Sequence, residues 1–276
     1  MGIKKTAMLV TDQDLVLRRL VLGGLTALVL PLRLEAKSKN IEQPPPGRVA
    51  HVYSGDSFAL EDGRRVRLGS IEAPRPARSG VRAQPLAGTA KAALAKRISG
   101  RQVRFTDPAP DRFSRIRAQV YLTGEAADTP LWVQGNMVRR GLARVRTWRD
   151  DHAMAAPLLA LEQDARAENR GLWAQAFYAL RTPQSVAAAI GSFQIVQGRV
   201  VDAARVRGRV YLNFGPDWRT DFTISIAPKD SKSFERAGIA LDGLSGALVR
   251  ARGLIRSQNG PILYLDHPEA LQVLAG

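Results

Sequence analysis

Residues 48–75 read RVAHVYSGDSFALEDGRRVRLGSIEAPR. Three short segments, 48–53, 57–60 and 65–68, have β character, and the turns Ser54-Gly55-Asp56 and Glu61-Asp62-Gly63 separate them. Short alternating runs punctuated by Gly and Asp read as consecutive hairpins. Downstream, Leu86, Ala90, Leu94 and Ile98 recur every four residues and Gly100 follows, so a helix with one apolar stripe and a glycine cap is expected. Two more strands are expected, at 103–106 and 118–122. A second helix is expected from Asp128-Thr129-Pro130 to Gly141, with a cap candidate followed by proline. Pro157 opens a third, with Leu158, Leu161 and Ala165 on one face, a Glu162–Arg166 pair on its surface and Gly171 as its stop. Five strands with interspersed helices predict a small barrel over 47–174.

Working outward, residues 175–192 read as a connector containing Thr182-Pro183, and 193–276 as a second β domain. Strands are expected there at 196–201, 206–214, 221–226, 248–255 and 261–265, with a helix at 231–237 between the third and fourth. That is the order of an OB-like barrel, with a small open sheet as the alternative. The fold class is β-rich α+β. Upstream, Lys4, Lys5, Arg18 and Arg19 precede the apolar run at 20–32. The run is shorter than the roughly 20 residues a membrane-spanning helix needs. Residues 1–36 therefore read as a signal peptide, with a membrane anchor or a buried helix as alternatives, and 37–46 as a linker ending in three prolines. The expectation is an exported protein, periplasmic or secreted, or one tethered through 20–32 and facing outside the cytoplasm.

The chain has 276 residues, 45% hydrophobic and 24% charged, which excludes disorder throughout. Its formal net charge of +16 points to polyanionic partners, or to a charge kept for solubility. The stretch from 63 to 117 carries fourteen basic residues against three acidic ones, so the first domain holds much of that potential. With no cysteine, thiolate catalysis, disulfides and thiolate-bound zinc are excluded. There is no phosphate-binding Gly-Lys loop, no nucleophile elbow and no His-Glu-x-x-His. His51, His152 and His267 are scattered and read as structural or surface residues.

What remains is a set of carboxylates and arginines in turns: Asp56 in a hairpin, Arg67 at a strand end, Glu72 in the loop beyond, and Asp111-Arg112-Phe113-Ser114-Arg115 before a strand. In this order, with Asn136–Val145 and a last helix closing at Gly171-Leu172-Trp173, they resemble the staphylococcal nuclease (thermonuclease) family from about 47 to 173. The resemblance implies Ca²⁺-dependent hydrolysis of DNA or RNA, and a monomer is expected. Asp56 and Glu72 would be carboxylate ligands, with the Ala73 carbonyl near the metal. Arg67 and Arg115 would be the catalytic arginines holding the phosphate, where a planar guanidinium fork pairs with two oxygens. Arg112 and Phe113 would bind a terminal phosphate, and Trp148 would stack on a base or serve the core.

Three departures stand out. Glu72 replaces the family's usual Asp, Ala73 its threonine, and Arg75 occupies the position of the glutamate that serves as general base. An arginine cannot accept a proton at neutral pH. Two readings follow: a weakened nuclease, or a catalytically degenerate module that binds nucleic acid or another polyanion. In the rear domain, 208–223 alternates aromatic and basic residues. It fits a stacking surface for single strands, or a hairpin with Tyr211 and Phe222 facing the core and Trp218 open to either role.

Overall fold

The computed structural model describes residues 44–123 and 130–274. The leader, most of the linker, and Asp128-Thr129 at the expected start of the second helix lie outside the described residues. Strands β1 (Gly47–Ser54), β2 (Ser57–Leu60) and β3 (Arg65–Leu68) follow the hairpins of the opening stretch. Next come β4 (Ile71–Glu72), helix α1 (Ala87–Ile98), and β5 (Gln102–Pro110) and β6 (Ile116–Leu122). A closed barrel runs β1-β2-β3-β6-β5. The β3–β6 pair is parallel, with Arg67 opposite Arg117 and Leu68 opposite Ala118. Phe58, Val66, Leu68 and Val120 fill the interior.

Helix α1 buries Ala87, Ala90, Leu94 and Ile98 against the barrel. Leu86 is not part of the stripe; it caps the helix with a left-handed φ of 63°. Helix α2 (Val133–Arg139) is shorter than expected and is preceded by Trp132. The two-residue β7 (Arg144–Val145) pairs antiparallel with β4, setting Glu72 opposite Arg144. Helix α3 (Ala155–Ala167) buries Ala155, Leu158, Ala165 and also Glu162. The expectation of a surface Glu162 is therefore corrected, because the second domain covers that side of the helix.

Three 3-10 turns lead to β8 (Phe193–Arg199), β9 (Asp202–Val206) and β10 (Arg209–Asn213). Then follow β11 (Thr223–Ile226), helix α4 (Pro228–Arg236), β12 (Leu248–Ser257), β13 (Pro261–Leu265) and β14 (Leu271–Leu274). The expected strand at 206–214 is β10, and Val206 ends β9, a strand not expected from the sequence. The chain reverses at Arg207-Gly208, both at positive φ (49° and 79°), the geometry of a two-residue hairpin loop. The order β14-β12-β13-β11-β10-β9, with β8 on β12, places the parallel pair β11–β13 where an OB-like barrel has it. Both barrels belong to one compact unit. Among the described residues no helix is long and apolar enough to cross a membrane.

Candidate functional site

The first site element is the turn joining β1 to β2. A Cβ on Gly55 would lie 2.7 Å from the Ala90 Cβ and 2.8 Å from the Ala73 Cβ, so only glycine lets the turn nest between α1 and the β4 loop. Asp56 is thereby carried inward. Its Oδ1 accepts from Ser54 Oγ at 2.7 Å and faces Arg67 Nη1 at 2.8 Å, while its Oδ2 accepts the Ala73 N–H at 2.7 Å. Arg67 also donates to the Ile71 carbonyl at 3.4 Å. Asp56, Arg67 and Ala73 are thus brought together as the sequence suggested, but as a knot closed on itself.

Glu72 is 4% exposed and sits inside a ring of guanidinium groups. Its Oε1 accepts from Arg75 at 2.8 Å and Arg146 at 2.7 Å, and its Oε2 from Arg144 at 3.4 Å. Burial alone pushes the Glu72 carboxyl up, but Arg146, Arg144 and Arg75 outweigh it and hold the group below the usual carboxylate range. Burial pushes Arg144 down while Glu72 pulls it back up. Arg144 is packed against the rings of Tyr178 and Phe193, at 5.2 and 4.9 Å. The same surroundings push the Tyr178 hydroxyl up to about 12, through burial first and against the pull of Arg144.

These residues do not fit a calcium ion. Ca²⁺ takes six to eight oxygen ligands at about 2.3–2.6 Å. The oxygens of Asp56 and Glu72 are already committed to donors, and four guanidiniums surround the two carboxylates. A divalent cation there would meet a net positive charge. Among the described residues no group of three or more His, Asp or Glu is placed to hold a metal.

Arg112, Phe113 and Arg115 stay together on the turn between β5 and β6. Arg115 pairs with Asp111 through Nη2 at 2.6 Å and Nε at 2.7 Å, and Asp111 also accepts the backbone N–H of Phe113. Burial raises the Asp111 carboxyl, but these donors lower it further, so it stays ionised. Phe113 is 62% exposed, with Arg112 and Arg115 over its ring at 4.7 and 5.3 Å. Trp148 lies apart from that turn, with Arg117 and Arg146 each 5.3 Å from its ring. Register puts Arg117, rather than Arg115, across from Arg67, and Arg117 pairs with Asp150 at 2.6 Å and Asp151 at 3.3 Å.

Sequence reasoning missed Arg117, Arg144 and Arg146. The available signal was alternation. Arg115-Ile116-Arg117 and Arg144-Val145-Arg146 each place two arginines on one strand face around an apolar residue, half-buried at Ile116 and buried at Val145.

Residues 65–175 match the model of the family described as staphylococcal nuclease homologue. The match begins in β3, after Asp56, and includes Arg67, Glu72, Arg75, Arg112, Phe113, Arg115 and Trp148. No curated protein matches the chain. Over residues 65–175, which contribute to the closed five-stranded barrel, the chain is similar to the staphylococcal nuclease family and carries an SNase-like domain.

Proposed function

We propose that this chain binds nucleic acid through the arginine-bearing face of its SNase-like barrel and hydrolyses it slowly or not at all. The observation that carries the reading is the guanidinium ring around Glu72. Arg75 stands where the family's general base is expected, and it also neutralises the neighbouring carboxylate. A site without a base and without a free carboxylate pair lacks the means to activate water, and loss of general-base catalysis alone costs typically about 10²–10⁴-fold. Phosphate recognition is better served. Exposed Arg112 stacks on exposed Phe113, a pairing that suits both phosphate and base contact. The basic N-terminal residues and the apolar run at 20–32 support export, with a tether as the alternative.

The test is retention and cleavage of labelled single- and double-stranded DNA and RNA by the full chain, with Ca²⁺ and with chelator. Retention should fall steeply with salt. In Arg112→Ala/Arg115→Ala the slope of log affinity against log salt should drop by roughly one to two, since each phosphate contact contributes about 0.7–0.9. The second reading, a working calcium nuclease, is favoured by Arg67 and Arg115 at the positions the resemblance assigns to phosphate. Calcium-dependent cutting that disappears in Asp56→Ala would replace the first reading with this one.

A further inference from the structure

A cleft of about 630 Å³ lies on the second domain rather than the first. It covers the outer face of β9, β10, β11 and β13. The opposite face carries Val210, Leu212, Ile224, Ile226, Leu263 and Leu265, all buried. Alternation therefore sends Tyr211 outward, correcting the reading that set it in the core, while Phe222 is buried as expected.

Register arranges the cleft floor in rows. One row runs Ala204, Tyr211, Ser225, Tyr264 across four strands. The two tyrosines stand two strand spacings apart, about 9.5 Å, with a small serine between them. Ser225 is 1% exposed because the Arg209 guanidinium lies over it, donating to its Oγ at 3.1 Å, so a planar ring entering between the tyrosines would stack on that guanidinium. Trp218, 50% exposed, lines the same cleft.

The chemistry around these rings is selective. Arg219 lies 4.5 Å over the Trp218 ring and Arg256 5.7 Å over that of Tyr264. Arg209 reaches the floor and donates to Ser225 Oγ at 3.1 Å. Asn213, Gln258 and Asn259 supply amide donors and acceptors at the rim. Asp202 is the single carboxylate among the lining residues, and Asn213 donates to it at 3.4 Å. Aromatic faces, amide edges, Arg209 on the floor and Arg219 and Arg256 at the rings beside it match a base carried on a phosphate chain. A duplex keeps its bases stacked and paired, whereas a single strand can offer one to the gap.

We infer that this cleft is a binding site for single-stranded nucleic acid, with an unpaired base stacked over Arg209 between Tyr211 and Tyr264 and its flanking phosphates held by Arg219 and Arg256. The site is separate from the first barrel and does not depend on the reading given for it.

The experiment uses the full chain and fluorescein-labelled d(T)₁₀, with the corresponding duplex as control. Affinity is measured by anisotropy for the wild type, Trp218→Leu/Tyr264→Thr, and Arg112→Ala/Arg115→Ala. The cleft variant should lose about tenfold or more in affinity for the single strand, in line with stacking losses at aromatic platforms, and little for the duplex. The first-barrel variant should keep the cleft's contribution. Photocrosslinking of the wild type with a 5-iodouracil oligonucleotide, mapped by peptide mass, needs no folded variant. Crosslinks on Tyr211, Trp218 or Tyr264 support the site. Crosslinks confined to the first barrel, unchanged affinity of the cleft variant, or displacement of the strand by a neutral oligosaccharide each overturn it.

Discussion

At the scale of single residues, Glu72 decides what the first barrel can do. Three guanidiniums hold its carboxyl ionised below the usual range, against the raising effect of burial. A carboxylate with a lowered folded pKa contributes stability that is present above its unfolded value, about 4.3, and lost as pH falls through the folded one. Urea titrations between pH 7 and pH 3 should show the wild type losing stability below about pH 4.3, with a smaller loss in Glu72→Gln. At pH 7 that variant should be less stable by about 3–5 kcal/mol, because the nearly buried Arg144 loses its counter-charge. The position of Arg75 yields a further expectation. Arg75→Glu restores the family's residue but leaves Arg144 and Arg146 on Glu72, so it should not produce calcium-dependent cleavage. Cleavage by that single variant would show that Arg75 alone blocks the reaction. Glu72 and Arg75 were both legible in the sequence, because they sit in a contiguous motif. Arg144 and Arg146 were not, because what brings them to Glu72 is the β4–β7 pairing, some seventy residues apart along the chain.

At the scale of elements, α3 and β12 are joined by a buried pair: Arg252 Nη1 lies 2.9 Å from Glu162 Oε2, and both side chains are 1% exposed. Glu162 Oε1 also accepts the Val145 N–H at 2.7 Å, and Arg252 donates to the Val145 carbonyl at 3.0 Å. Helical periodicity correctly gave the face of α3 that meets its own barrel. It could not give the face that meets another domain, since a buried Glu and an exposed Glu look the same in one sequence. Glu162→Ala should cost about 3–5 kcal/mol by stranding the arginine, whereas Glu162→Leu/Arg252→Met should recover much of that loss. Denaturant unfolding of both variants measures this, and equal losses would show that the pair acts only through its shape. Strand boundaries show a similar limit. The 206–214 run is continuous in β character, yet the two-residue turn Arg207-Gly208 leaves Val206 at the end of β9 and starts β10 at Arg209.

At the scale of the whole molecule, a seam of polar contacts joins the two barrels. Arg144 donates to the Phe193 carbonyl at 3.2 Å, Thr147 Oγ1 lies 2.7 Å from His267 Nε2, His152 pairs with Glu269 at 2.8 Å, and Arg149 pairs with Asp230. Several of these groups belong to the same strand–turn region, 144–152, that also supplies Arg144 and Arg146 to Glu72. The closed state of Glu72 is therefore tied to the presence of the second barrel: Arg144 is positioned on one side by β4 and on the other by the Phe193 ring and carbonyl. A chain ending at residue 192 would lose Phe193, Arg252 and His267 together. It would leave Glu162 without its counter-charge and Arg144 without part of its packing. Such a truncation should melt well below the full chain, and Glu72 should be held less tightly. The full chain should unfold in one cooperative transition when followed both by far-UV circular dichroism and by the fluorescence of Trp132, Trp148, Trp173 and Trp218, which are spread over both barrels. Two separated transitions, with the first barrel melting at the temperature of the 1–192 chain, would show instead that the seam carries little energy and that Glu72 is held by the first barrel alone.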